Sequence, residues 1–146
     1  MTARLPQVAR PGPALLIEAA AAILIASIAI RTRPFDDVAT SATRRRQESP
    51  PDPHCLARLS RAITAVARRV PWRAKCMEEG IAAARMLSRR GYPASLQYGA
   101  AMIAGELQAH VWLKSGEYGI TGCDNESEFV LLSQFPNDLS SLPVHH

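Results

Sequence analysis

Three cysteines, four histidines and thirteen carboxylates are the side chains of this 146-residue chain that could carry nucleophilic or proton-transfer chemistry. Cys76 stands apart among the thiols. It follows Pro71-Trp72-Arg73-Ala74-Lys75 and opens a run in which Met77, Ile81, Ala84 and Leu87 recur at helical spacing. A cysteine in the first turn of a helix sits among unpaired backbone N–H groups at the positive end of the macrodipole, and Arg73 and Lys75 add charge of the same sign. That setting favours the thiolate, with Glu78 and Glu79 opposing it in part. Cys55, beside His54 early in another helix, and Cys123, in a turn, lack it. Taken alone, any one cysteine reads first as a small buried hydrophobe.

His110 changes the balance. It lies in the middle of a clean alternation, with Leu107, Ala109, Val111 and Leu113 on one side and Gln108, His110, Trp112 and Lys114 on the other. A histidine on such a strand is either a satisfied structural residue or one kept for its proton chemistry. His54 borders a linker, and His145 and His146 end the chain. Asp124 comes fourteen residues after His110, one turn and one short strand later. Neighbouring antiparallel strands bring such positions side by side, so a carboxylate there can accept the imidazole N–H. Cysteine at a helix start, histidine on a strand and acid at the next strand's end are the parts of a thiol acyl-transfer site: nucleophile, base, and a group that orients the base. A register shift of one residue would hand the third role to Asn125 or Glu126.

The elements that must hold these residues follow from periodicity. Residues 1–13, with Pro6, Pro11 and Pro13, read as an unstructured lead-in. Ala14–Ile30 is strongly apolar, with twelve uninterrupted apolar or small residues from Ala19. Twelve residues give about 18 Å of helix, short of the roughly 30 Å of a bilayer core. The segment reads as a buried helix or docking face, and Arg31 and Arg33 directly after it leave no signal-peptide cleavage site. Thr40–Pro53 has the composition of a linker. Asp52-Pro53 is a helix start, N-cap then first turn, and Leu56, Leu59, Ile63, Val66 and Val70 form the stripe of the helix that Pro71 ends. The Cys76 helix stops at Gly91. Strands are expected over Ser95–Met102, Leu107–Ser115, Tyr118–Thr121 and Phe129–Phe135, with turns at Ala104-Gly105-Glu106 and Ser115-Gly116. The fold class is α+β: N-terminal helices, then a small antiparallel meander.

Val70-Pro71-Trp72-Arg73-Ala74-Lys75-Cys76-Met77, the helix running to Arg89-Arg90-Gly91-Tyr92-Pro93-Ala94, and Ala109-His110-Val111-Trp112-Leu113 together resemble the leader peptidases of lasso-peptide biosynthesis, within the transglutaminase-like cysteine-protease superfamily. The likeness extends to the apolar N-terminal helix and the Pro-rich linker. It implies a transglutaminase/papain-like core with the nucleophile at a helix N-terminus, and Cys76, His110 and Asp124 as nucleophile, base and orienting acid. It implies further a cut between leader and core of a ribosomally made precursor peptide. Such a chain would work with a separate leader-recognition protein and with a lactam-forming cyclase resembling asparagine synthetase. On this reading residues 1–50 are a docking extension and 51–146 the protease domain, in the cytoplasm.

Composition bounds the rest. At 47% hydrophobic and 21% charged residues the chain is in the globular range. The three cysteines are too few and too widely spaced for a disulfide scaffold. No P-loop, dinucleotide fingerprint or metal-ligand spacing is present, so neither cofactor nor metal is expected. The net charge of +4 hides a division: residues 1–90 carry sixteen basic against seven acidic side chains, and residues 91–146 carry Lys114 alone against six acids. Two rivals follow. One is an acyltransferase or amidase with the same three residues. The other is a non-catalytic protein that binds nucleic acid or a membrane surface through its arginines. The latter gives Cys76 and His110 no reason for their positions, and few aromatics interleave with the arginines for base stacking. Nucleic acid is therefore not expected as a partner, while residues 14–30 leave room for weak membrane association.

Overall fold

A computed structural model describes residues 3–44, 49–70, 76–124 and 126–136. Four helices, α1 (Pro13–Thr32), α2 (Phe35–Ala42), α3 (Pro53–Arg69) and α4 (Cys76–Arg89), precede four strands, β1 (Ser95–Ile103), β2 (Glu106–Ser115), β3 (Tyr118–Thr121) and β4 (Val130–Phe135). The architecture is α+β, as expected. Asp52 caps α3 by accepting the His54 N–H at 3.1 Å, with Pro53 in the first turn. Gly91, at φ +78°, closes α4 in the left-handed region, and the Tyr92 N–H returns to the Leu87 carbonyl. Eight-residue α2 begins inside what reads as non-helical sequence and overruns the expected linker. Val38, Ala39 and Ala42 are its buried face.

The sheet is antiparallel with strand order β3-β2-β1-β4. It is therefore not the expected meander: β4 pairs with β1, on the far side from β3. The edge beyond β3 is bordered by the lead-in, where Ala3 bridges Tyr118 in parallel. Arg61 also holds the lead-in through the Val8 carbonyl. Between β3 and β4 a 3-10 turn spans Glu126–Glu128.

One core runs through both sides of residue 50. The inner face of α1 (Ala19, Ile23, Ala26) is fully buried with Leu56, Leu59 and Ile63 of α3, Ile81 and Leu87 of α4, and Leu96 and Leu113 of the sheet. α1 is longer than its uninterrupted apolar run and, by length and composition, passes for a membrane-crossing helix. Its buried face nevertheless belongs to this core. α4 lies across β1, β2 and β3, and Gly80 marks the closest approach. A Cβ there would stand 2.9 Å from Leu96 Cδ1 and 3.2 Å from Val111 Cγ1. On β2 the expected alternation of burial does not hold: Leu107 is 74% exposed, because that end of the hairpin projects past the helices, whereas Val111, Trp112 and Leu113 are all buried, since both faces are covered there.

Candidate active site

Cys76 is the first residue of α4, half-buried, reduced and packed against the edge of the core. Its own N–H is in the first turn and so has no intrahelical acceptor. Cys76 stands one helical turn before Gly80, on the same helix face. Gly80 is seated on Val111 and faces Thr121, so α4 meets β2 and β3 on the face that Val111 presents.

The alternation that turns Val111 to the helix turns the His110 ring to the opposite sheet face. There it stacks on Trp112 at 5.9 Å and lies 5.0 Å from the Phe129 ring. Phe129 packs on this face as well, 6.3 Å from Trp112, and Trp112 is only 3% exposed. Trp112 Nε1 donates to Gln97 Oε1 at 2.6 Å. Gly99, opposite His110, is required by the indole, since a Cβ would fall 2.7 Å from its Cη2.

His110 Nε2 lies 2.7 Å from the carbonyl oxygen of Gly122. A carbonyl only accepts, so Nε2 carries the proton and Nδ1 is left as the basic nitrogen. Gly122 has φ +67°, and a Cβ on it would meet Val111 O at 2.7 Å and His110 Nε2 at 3.1 Å. The glycine thus lets the turn approach the ring. Asp124, two residues further on, is exposed, and among the described residues it makes no hydrogen bond to His110. Glu126, the alternative acid, is paired with Lys114 at 2.9 Å; Asn125 lies outside the described residues. No hydrogen bond joins Cys76 Sγ to His110 among the described residues. Pro71 to Lys75, including Trp72 and the two basic residues expected to favour the thiolate, also lie outside them.

The other thiols are held differently. Burial, reinforced by the charge of Glu126, pushes the Cys123 thiol up to about 11, and its sulfur faces the Leu113 and Thr121 carbonyls at 3.4 Å. Cys55 is engaged with Tyr92, whose phenol is pushed up to about 12 by that hydrogen bond. Glu79, three residues after Cys76, is itself raised, by burial first and the charge of Glu78 second. Among the described residues no cluster of His, Cys, Asp and Glu could hold a metal ion. Gly122, Phe129 and Gln97 escaped sequence reasoning as parts of this site. Only the glycine before Cys123 carried a signal, the backbone freedom of a tight turn.

The described site thus has a cysteine opening a helix laid across an antiparallel sheet, and a histidine on the second strand whose ring nitrogen is satisfied by the turn after the third. The family model described as transglutaminase-like superfamily matches residues 19–134, and the chain belongs to that family. The superfamily generally comprises cysteine-protease and acyltransferase-type enzymes. No curated protein and no solved structure matches the chain.

Proposed function

We propose that this protein is a cysteine peptidase that removes the leader from a ribosomally made lasso precursor peptide in the cytoplasm. The reading rests on the family match together with a cysteine in the first turn of α4 and a histidine on β2 whose Nε2 already donates to the Gly122 carbonyl. This frees Nδ1 to serve the thiol. In the reaction, Nδ1 takes the Sγ proton and the sulfur bonds to the scissile carbonyl carbon. The backbone N–H of Cys76 faces the resulting oxyanion. The imidazolium then gives its proton to the leaving amine as the C–N bond breaks, and water, deprotonated by His110, hydrolyses the thioester. Asp124 is the third member in this proposal, supporting the imidazolium charge from the same turn as Gly122. The pairing of Glu126 with Lys114 favours Asp124 over its neighbour. Among the described residues no hydrogen bond joins Cys76 to His110, so the two groups must be brought together when substrate binds.

The resemblance carried by Trp72-Arg73, Cys76 and Ala109-His110-Val111-Trp112 supports a leader peptidase over a general acyltransferase. It brings with it a separate leader-recognition protein and a cyclase resembling asparagine synthetase. A sheet edge supports a peptide substrate: β4 borders the sheet, and Val130, Leu131 and Leu132 are exposed on it directly after Phe129. An extended chain can add to such an edge.

The test is incubation of precursor peptide, recognition protein and this chain, followed by mass spectrometry for the free leader. Release of intact leader by the wild type and none by Cys76→Ala is expected. Transfer of the acyl group to an added amine, with no hydrolysis, would establish the acyltransferase instead. Turnover by Cys76→Ala at the wild-type rate would end the thiol mechanism.

A further inference from the structure

The outer side of α1 is unusual for a helix within a folded chain. Ile17, Leu24, Ile25 and Ile28, at steps of seven, one and three, form one stripe, and Ile17 and Ile25 are 69% and 49% exposed. A contiguous apolar surface of this kind marks an interaction site more often than chance. It borders a cleft of about 720 Å³ between α1, the end of α2 and the C-terminal half of α4. Ala21 and Met86 lie in that cleft, and Arg44, Arg85 and Arg89 line it against a single carboxylate, Glu18, which is 3.7 Å from Arg89. Among the described residues Arg85 Nε is buried and has no hydrogen-bond partner. A buried guanidinium nitrogen left unpaired is destabilising, and a bound acceptor would recover that loss. Burial, and then the charge of Arg33, draw the Arg85 guanidinium below its ordinary range, the response of a cation short of a counter-charge.

We propose that this cleft is the docking site for an amphipathic acidic helix of a separate protein, its apolar side chains seated against Ile17, Ala21 and Ile25 and its carboxylates on Arg44, Arg85 and Arg89. Arginine presents a planar fork that matches a carboxylate, and an apolar stripe beside it is the surface into which an amphipathic helix fits. A bilayer is the poorer occupant. The opposite face of α1 is committed to the core through Ala19, Ile23 and Ala26, and a planar surface cannot reach an arginine nitrogen inside a concave cleft. Arg85 and Arg89 follow Cys76 by nine and thirteen residues on the same helix, about 14–20 Å along its axis. The docked helix would therefore sit clear of the nucleophile. Identification of its owner with the leader-recognition protein rests on the peptidase reading; the cleft itself does not.

Binding is measured on the full chain carrying Cys76→Ala, so the result is blind to whether the protein cleaves anything. The probe is a dansylated peptide of about 18 residues with leucine at i, i+3, i+4 and i+7 and glutamate flanking that stripe. Saturable micromolar binding is expected, weakened more than ~10-fold by Arg85→Gln with Arg89→Gln and by Ile25→Asp, and absent when lysine replaces every glutamate. Ile25→Asp lies at an exposed position and keeps the test valid where the arginine variant melts early. Equal binding of the glutamate and lysine peptides overturns the proposal, as does binding that Ile25→Asp leaves unchanged. Co-sedimentation with anionic phosphatidylglycerol vesicles in the absence of peptide binding overturns it in favour of a lipid surface.

Discussion

The three thiols should differ in reactivity at neutral pH, and each for a local reason. Cys123 is raised to about 11 by burial, and Cys55 is engaged with the Tyr92 hydroxyl. Since alkylation follows the thiolate, iodoacetamide at pH 7.5 should label Cys76 more than ~10-fold faster than Cys123. Peptide mapping by mass spectrometry reads the order directly, and comparable rates at the two sites would show that burial does not hold the Cys123 thiol up. Gly122 offers the second residue-scale prediction. At φ +67°, with the Val111 carbonyl 2.7 Å from any Cβ, Gly122→Ala should cost about 2 kcal/mol or more and push the turn away from His110. The nitrogen that orients the ring then loses its acceptor. Cleavage should fall more than ~10-fold while the chain still melts cooperatively, with the loss accompanied by a shifted His110 ring resonance in NMR titration. An unshifted resonance would mean that the carbonyl does not set the ring.

Among the elements, α3, α4, β1, β2 and β3 were legible because each repeats its apolar positions over several turns or pleats and ends at a capping or turn residue. α2 was not. Eight residues rich in Asp, Thr and Ser have little local preference for helix, and Val38, Ala39 and Ala42 become helical by packing on α4. The pairing of β4 with β1 was equally hidden, since a strand's partner depends on which edge is open and on what must cover Trp112, neither of which is a local property. The same divide runs through the site. Cys76 and His110 stand out by residue type and setting, whereas the acceptor for His110 Nε2 is a backbone carbonyl with no side chain to announce it. Glu18 is a further contact between distant elements: its carboxylate takes two 2.7 Å hydrogen bonds from Arg90, tying α1 to the end of α4. Those bonds hold the Glu18 carboxyl below its ordinary value of 4.5. The stabilisation is therefore complete above pH 4.5 and lost as pH falls through the lowered folded-state value. Glu18→Gln should cost about 1–2 kcal/mol in urea unfolding at pH 7 and much less at pH 3. An equal cost at both would assign the loss to packing rather than charge.

At the scale of the molecule, the question is whether residues 51–146, expected from sequence to form the protease domain, can hold their shape alone. Ala19, Ala22, Ile23 and Ala26 of α1 fill the same core as Leu59, Ile63, Ala83 and Leu87, and the family match itself begins within α1, at residue 19. Truncating one buried Ile or Leu to Ala costs about 2–5 kcal/mol, against a total stability of about 5–15 kcal/mol for a domain. Removing α1 strips a whole face of α3 and α4 at once, and with it the Glu18–Arg90 bonds. A fragment of residues 51–146 should therefore unfold in urea without a cooperative transition and bind a hydrophobic dye, while the full chain gives a single sharp transition. Adding a separate peptide of residues 13–33 should restore part of the transition, because the face it left is still complementary. A fragment as cooperative as the full chain would mean that α1 is an accessory to the protease core, and that its buried alanines contribute little to positioning Cys76.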